Sequence, residues 1–309
     1  MVNREVLQLN NVVAVVVTYN RLEMLKKCIS AIENQTYSCD ILIVNNASTD
    51  NTEEWIMSYS QSKDNIIYYN TGENIGGAGG FNFGIRKAVE AGYDYVWVMD
   101  DDCIPNTDAL EKLMNADKIL GGPENYGYLS SVVLWTDGTE CKMNRQKFKK
   151  TTVSGDYYRK KGLQAVTQAT FVSLLFPAST IRKAGLPIKE FFIWGDDIEY
   201  TRRIAVRMDM PSYLVEDSAV IHAMKENTGS NIATDVSERI NRYNYAFRNE
   251  NYLYRKEGLK GFYYYTAKCV FNILKILFKA ENRRIARCGV ILKCFIRGLF
   301  FNPKIEYIG

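Results

Sequence analysis

Residues 12–17 (VVAVVV) constrain the fold most, because six apolar residues in a row, five of them valine, leave no polar face for water. Such a run suits a strand covered on both sides, the situation of a parallel sheet between helices. It stops at Thr18, Tyr19, Asn20 and Arg21; Leu22, Leu25, Ile29 and Ile32 then recur at helical spacing, and residues 41–44 give a second strand ending at Asn45 and Asn46. The β-α-β pattern repeats with a short strand at 66–69, a helix over 78–90 entered through glycines, and a strand at 95–99. In open sheets of this kind ligands bind beyond the carboxyl ends of the strands, so 18–21, Asn45, Asn46, Asn74 and the triplet Asp100, Asp101 and Asp102 are expected to converge on one crevice. Residues 121–162 are turn-rich and polar, and with the apolar stretch 169–176 they are assigned to the acceptor side.

The net charge of +4 is the difference between two unlike parts. Residues 239–309 carry 15 Lys/Arg against 4 Asp/Glu, a net of +11, which leaves 24 basic and 31 acidic residues, a net of −7, in 1–238. The two parts therefore face different partners. Seven dispersed cysteines with no C-x-x-C pair argue against zinc or dithiol chemistry and suit a reducing, cytoplasmic setting. Residues 1–10 lack a basic segment followed by an apolar core, and no stretch reaches the roughly 20 apolar residues of a membrane span. A soluble or peripheral protein without a signal peptide is expected.

Three carboxylates at the end of a buried strand are costly to hold together unless a cation neutralises them. The alternative for Asp100, Asp101 and Asp102 is a solvated helix N-terminus, since Asp caps helices well and Ile104-Pro105 follows. Magnesium and manganese take oxygen ligands, and manganese also accepts imidazole. The lone His222, after Ala219-Val220-Ile221, is then either a further ligand or a satisfied structural histidine. Asp196 and Asp197, with Glu199, follow Phe191-Phe192-Ile193-Trp194. They read as an acid-rich helix start favoured by the macrodipole and, compatibly, as a base beside an aromatic shelf at Trp194 on which a sugar stacks. Asn74 opens a segment with Gly76, Gly77, Gly79 and Gly80 that is either a ligand loop at a helix start or a flexible turn; it is neither G-x-G-x-x-G nor a P-loop.

In the basic tail, Lys268, Asn272, Lys275 and Lys279 fall in a narrow helical stripe, with Phe271, Ile273, Leu274, Leu277 and Phe278 on the remainder. Arg283, Arg284, Arg287, Lys293 and Arg297 repeat the theme among aliphatics. The expectation is a helix lying in a membrane interface, the alternative an extension packed on the rest of the chain or on a second subunit. No nucleic-acid-binding motif accompanies the charge.

In order, VVVTYNR, VNNASTDNT, NIGGAGGFNFG, VMDDDC and FFIWGDDIEY, spread over roughly residues 10–225, resemble glycosyltransferase family 2, the inverting enzymes of GT-A fold. The double-glycine segment, the DDD triplet and W-x-D-D look closest to its galactofuranosyltransferase-like branch, with bacterial rhamnosyltransferases as neighbours. The resemblance implies an α/β fold: a Rossmann-like, mostly parallel mixed sheet in a catalytic domain over 1–235, followed by a helical basic extension over 236–309. It implies that Thr18, Asn20 and Arg21 line the nucleotide pocket and that Asn46, where many relatives carry Asp, lies near the pyrimidine. By the same likeness Asp100, Asp102 and His222 would hold Mn2+ or Mg2+, Asp101 would contact the donor ribose or sugar, Asp197 beside Asp196 would be the base, and Arg248 would lie near the pyrophosphate. The implied reaction is a single inverting displacement onto a lipid-linked glycan in cell-surface polysaccharide synthesis, at the inner face of the cell membrane. Galactofuranose from UDP-galactofuranose is the first donor considered and rhamnose from dTDP-rhamnose the second, and a homo-oligomer is left open. From other classes, a non-catalytic carbohydrate-binding or scaffold protein does not require this acidic set, and a nucleotidyltransferase requires a triphosphate loop that the N-terminal segment lacks.

Overall fold

The computed structural model describes residues 11–150 and 157–309; residues 1–10, on which the absence of a signal peptide was argued, lie outside them. Among the described residues ten strands make one mixed sheet: β1 (Val12–Thr18), β2 (Asp40–Asn45), β3 (Ile66–Asn70), β4 (Tyr95–Asp100), β5 (Cys103–Pro105), β6 (Leu129–Leu134), β7 (Lys147–Phe148), β8 (Leu163–Gln168), β9 (Val172–Pro177) and β10 (Tyr213–His222). Their order is β3-β2-β1-β4-β9-β6-β10-β8-β7, with β5 beside β10. The first four strands are parallel, and the chain crosses from one side of β1 to the other between β3 and β4. The crevice of such a sheet opens at that reversal, beyond Thr18 and Asp100.

Every residue of β1 is buried, as the valine run requires. Alternate side chains serve two cores: Val12, Ala14 and Val16 pack with Leu25 and Ile29 of the helix Leu22–Glu33 and with Leu110 and Leu113 of the helix Ala109–Leu120. Val13, Val15 and Val17 pack with Phe81 and Ile85 of the helix Gly76–Glu90. That helix approaches the sheet closely at Gly84, where an added Cβ would sit 2.5 Å from the Val15 side chain and 2.9 Å from that of Val44.

Two expectations are corrected. The glycine-rich helix begins at Gly76, not Ala78, so the glycines form its first turns and are not a loop ahead of it. The stretch 169–176 contains β9, antiparallel between β4 and β6 in the middle of the sheet, and its Thr170, Phe171 and Val172 line the main cleft. Residues 103–105 are not a helix start but β5, antiparallel to the end of β10, with Cys103 opposite His222.

The C-terminal helices Tyr243–Lys256, Leu259–Lys279 and Arg284–Phe300 share a small core that includes Phe247, Tyr265, Ile276 and Ile291. None of the described helices is long and apolar enough to cross a membrane. Arg287, expected at an interface, is buried and donates to the carbonyls of Ile232 and Asp235, so part of the basic tail is internal. After Phe300 the chain returns to the sheet side. The Glu306 carbonyl accepts from Leu186 N–H (2.8 Å), and its carboxylate accepts from Arg86 (2.7 Å) and Lys189 (2.6 Å). All seven cysteines are free thiols.

Candidate active site

The strand end at β4 gathers the acidic triplet against three compensating groups. Thr18 Oγ1 donates to Asp101 at 2.8 Å, and Arg21 reaches Asp101 at 3.1 Å and Asp102 at 2.8 Å. Asp101 is buried on this brace. His222 Nε2 lies 3.1 Å from Asp102, and its Nδ1 lies 2.8 Å from Asn144 Oδ1, which also accepts from the Cys141 thiol at 2.9 Å. With Asn144 Oδ1 accepting from Nδ1–H, Nε2 faces the aspartates, where it donates to Asp102 while the imidazole is charged and would offer its lone pair to a cation once that proton is lost. Burial opposes charge on His222, but Asp102 raises its pKa to about 10 and is itself pushed down in return.

Asp100 has no hydrogen-bonding or ion-pair partner for its carboxylate among the described residues. Burial and the neighbouring Asp102 push it up to about 8. Ligand atoms of Asp100, Asp102 and His222 all lie within 4.8 Å of one another. Two carboxylates and one oriented imidazole make a donor set suited to Mn2+ or Mg2+, and the unrelieved repulsion at Asp100 is what a bound cation removes.

The second acidic pair is presented by a strained turn. Phe192, Trp194 and Gly195 have φ of 63°, 65° and 88°, and the helix Asp196–Arg202 starts immediately after them. Left-handed backbone at non-glycine residues costs about 1–3 kcal/mol each and persists only where neighbours over-determine it. Asn249, fully buried, does so: its amide donates to the carbonyls of Phe191 (3.0 Å), Ile193 (3.3 Å) and Trp194 (2.8 Å). Arg248 works beside it, donating to Glu190 O at 2.7 Å and to Asn249 Oδ1 at 2.8 Å, and it lines a separate cavity of about 330 Å³ instead of the main cleft. Trp194 packs edge-on against Tyr243 and carries the Arg239 guanidinium 5.7 Å from its ring centre. Glu199 is internal, paired with Arg203. Burial raises Asp197 to about 6, and burial together with Asp197 raises Asp196 well above the usual range.

The glycines divide their tasks. Gly76 (φ 73°) lies against the Phe192 carbonyl, 2.1 Å from where a Cβ would stand, and that carbonyl accepts from Ala78 N–H; Gly79 packs on Ile75, and only Gly77 lines the cleft. Asn74 Oδ1 accepts from Gly76 N–H. Asn20 Oδ1 accepts from Thr49 N–H at 2.7 Å, tying the end of β1 to the loop after β2. Asn46 donates to Gly76 O at 3.0 Å, while its own Oδ1 is buried without a partner.

One cleft of about 820 Å³ joins Arg21, Asp100, Asp102 and His222 to Trp194, Asp196 and Asp197. A basic wall of this cleft includes Arg239 and Arg242 of the short helix Ser237–Arg242 and Lys268, with Asn272 and Lys275, of the helix Leu259–Lys279. The stripe expected to face a membrane therefore faces the cleft for most of its length. Asn144, Asn249 and this basic wall were not anticipated as site residues. Asn249 ends the quoted YNYAFRN segment, whereas Asn144 lies in a polar region with no distinguishing pattern.

A model described as glycosyl transferase family 2 matches residues 13–121. The chain is 27% identical over 268 residues to galactofuranosyltransferase GlfT1 of Mycolicibacterium smegmatis, covering 81% of this chain and 84% of that one. It is 29% identical over 227 residues to GlfT1 of Mycobacterium tuberculosis, covering 69% and 70%. Among solved structures, GalNAc-T7 with UDP, GalNAc and Mn2+ is similar with a TM-score of 0.60 at 14% identity, over 79% of this chain and 47% of that one. Staphylococcus aureus TarS 1–349 in complex with UDP is similar with a TM-score of 0.53 at 14% identity, over 94% and 72%. These structural likenesses establish the fold, the GT-A-like α/β arrangement expected.

Replacing Asn249 by Ala removes one amide that three carbonyls share. Asn249→Ala should lower stability by about 1–3 kcal/mol, read from the urea midpoint; an unchanged midpoint would show that the turn is held by its aromatic contacts alone.

Proposed function

Since the chain is a family 2 glycosyltransferase close to the galactofuranosyltransferase branch, we propose that it transfers galactofuranose from UDP-galactofuranose to a lipid-linked glycan, with inversion. The observation that carries this reading is the single cleft with Asp100, Asp102 and His222 at one place and Asp196 and Asp197 at another. A Mn2+ or Mg2+ ion held by the first set would offset charge developing on the leaving nucleoside diphosphate. Asp197 takes the proton of the acceptor hydroxyl as that oxygen attacks the anomeric carbon opposite the leaving group, and one displacement inverts the centre. Asp196 is held more firmly in its acid form, so Asp197 is the ionised member of the pair above about pH 6. The unpartnered Asn46 Oδ1 suits the N3–H of a pyrimidine. Thymine offers the same N3–H, so dTDP-rhamnose is the second donor reading.

The surface of the tail supports a membrane location for the acceptor. Phe271, Leu274 and Phe278 are 64%, 48% and 82% exposed, and Ile285, Ile296 and Phe300 are 90%, 59% and 82% exposed. Exposed Lys260, Lys279, Arg283, Arg284 and Lys293 are interspersed with them. Such a surface suits an anionic membrane at the cytoplasmic side, to which each basic residue near the surface adds about 1 kcal/mol.

In calorimetry, UDP should bind with Mn2+ present and lose affinity with EDTA or in Asp100→Asn and His222→Ala. Binding indifferent to all three changes contradicts the metal role, and tighter binding of dTDP than UDP moves the donor to rhamnose.

Turnover should rise with pH through about 6 as Asp197 ionises. Asp197→Asn should retain UDP binding while slowing transfer by about 10²–10⁴. A larger loss in Asp196→Asn, with the fold intact, exchanges the two roles.

Phe278→Ser combined with Phe300→Ser should reduce sedimentation with phosphatidylglycerol-containing vesicles without altering UDP binding. Equal sedimentation of the variant and the parent protein removes the membrane assignment.

A further inference from the structure

The second cavity, of about 330 Å³, is lined by Asn241, Asn244, Tyr245, Arg248 and Arg297 and shares no lining residue with the main cleft. No carboxylate lines it, and neither arginine is in an ion pair among the described residues. Arg248 is held in a way that leaves part of its guanidinium for a ligand. Its centre lies 4.0 Å from that of the Phe301 ring and 5.3 Å from that of the Tyr245 ring, so aromatic side chains pack about it. Nε and Nη2 donate to Asn249 Oδ1 at 3.0 and 2.8 Å, and Nη2 also donates to Glu190 O at 2.7 Å. Nη1 bonds to nothing among the described residues; the same holds for the Arg297 guanidinium, the Asn241 amide and the Tyr245 hydroxyl.

Burial lowers the Arg248 pKa and Arg297 adds to the effect, while the neighbouring Glu190 carboxylate stays outside ion-pair distance. Two cations carried by different helices, Tyr243–Lys256 and Arg284–Phe300, thus face one cavity and repel each other. An anion between them removes that cost. The donor set also selects the kind of anion. A planar carboxylate is matched by two parallel N–H bonds from one guanidinium. Here the free donors belong to four side chains on separate elements, which a tetrahedral oxyanion can engage together.

We propose that this cavity binds a phosphoryl group, as free phosphate or a phosphate ester, between Arg248 Nη1 and the Arg297 guanidinium, and that its occupancy tightens the turn ahead of Asp196. Asn241 and Tyr245 supply the remaining donors. The link to the turn is Arg248 itself, because its other two nitrogens bond to Glu190 O and to Asn249, whose amide holds the carbonyls of Phe191, Ile193 and Trp194. The guanidinium is a rigid plane, so a ligand that fixes Nη1 fixes the other two nitrogens with it. The volume is at the low end for ligand pockets, which suits one phosphorylated head group. Ile296 and Phe300 are exposed beside Arg297 on its helix, so a dissolved phosphate and a lipid head group are both sources of this chemistry. The site does not depend on which donor or acceptor the main cleft takes.

The test titrates the full chain with inorganic phosphate by calorimetry, without divalent cation and at constant ionic strength. Phosphate should bind the parent protein, and Arg297→Gln should weaken it about tenfold while UDP affinity with Mn2+ stays as in the parent. In the parent, and not in Arg297→Gln, phosphate should slow amide hydrogen exchange over residues 190–197. Acetate should do neither. Equal phosphate binding by the two proteins, no binding by the parent, or an equal response to acetate overturns the proposal. Exchange over 190–197 that is unchanged with phosphate bound overturns the link to the turn. Should Arg297→Gln fail to fold, Asn241→Ala, at an exposed position, should weaken phosphate instead, and undiminished affinity there is equally fatal. Dihexanoyl phosphatidylglycerol separates the sources: Arg297-dependent binding tighter than that of phosphate identifies a lipid head group as the ligand, and weaker binding identifies a soluble phosphate.

Discussion

Three adjacent carboxylates at the carboxyl end of a central strand set the terms for everything around them. Asp101 is neutralised by Thr18 and Arg21, Asp102 by Arg21 and His222, and Asp100 is left to repel. Each compensator comes from a different part of the chain, so the triplet dictates long-range order. Arg21 must start the first helix, and His222 must arrive from the far end of β10. The short β5 makes that arrival possible by pairing Cys103 with His222. A sheet that ended at Asp100 without β5 would leave the imidazole without a fixed approach to Asp102.

The parallel half of the sheet was legible because its strands are buried on both faces and carry unbroken apolar runs, which leave little freedom of interpretation. The antiparallel insertion of β9 was not. An apolar run of that length has the same pattern wherever it lies in a sheet, and only pairing with Trp97 and its neighbours places it. Asp100, Asp102 and His222 come together as the family likeness implied, whereas Asn144 is visible only once the chain is folded, since its importance lies in the imidazole tautomer it selects. Helical periodicity correctly separated the lysine face from the aromatic face of Leu259–Lys279. It carried no information about which of them looks inward, because both a cleft and a membrane headgroup layer accept lysine.

The Asp196 and Asp197 pair shows a different economy. A helix start rich in acid is ordinary, but here it follows three residues in left-handed backbone, and the cost is met by Asn249 and Arg248 from a helix beyond the sheet. The position of Asp197 is thus set jointly by the sheet and the C-terminal helices. Glu306 adds a second tie from the far end of the chain, through Arg86 and Lys189. A boundary near residue 235 divides the composition sharply without dividing the chemistry.

One helix, Leu259–Lys279, forms a wall of the cleft with one face and open surface with another. A ligand on either face contends with the same rigid body, so any tilt of the helix that one ligand favours is imposed on the other. Whatever free energy an outer ligand gains by favouring one tilt of this helix is transferred to affinity within the cleft, and the exchange is reciprocal. Where such a tilt exists, equilibrium constants obtained with the outer face in water and with that face covered describe two different states of the same cavity.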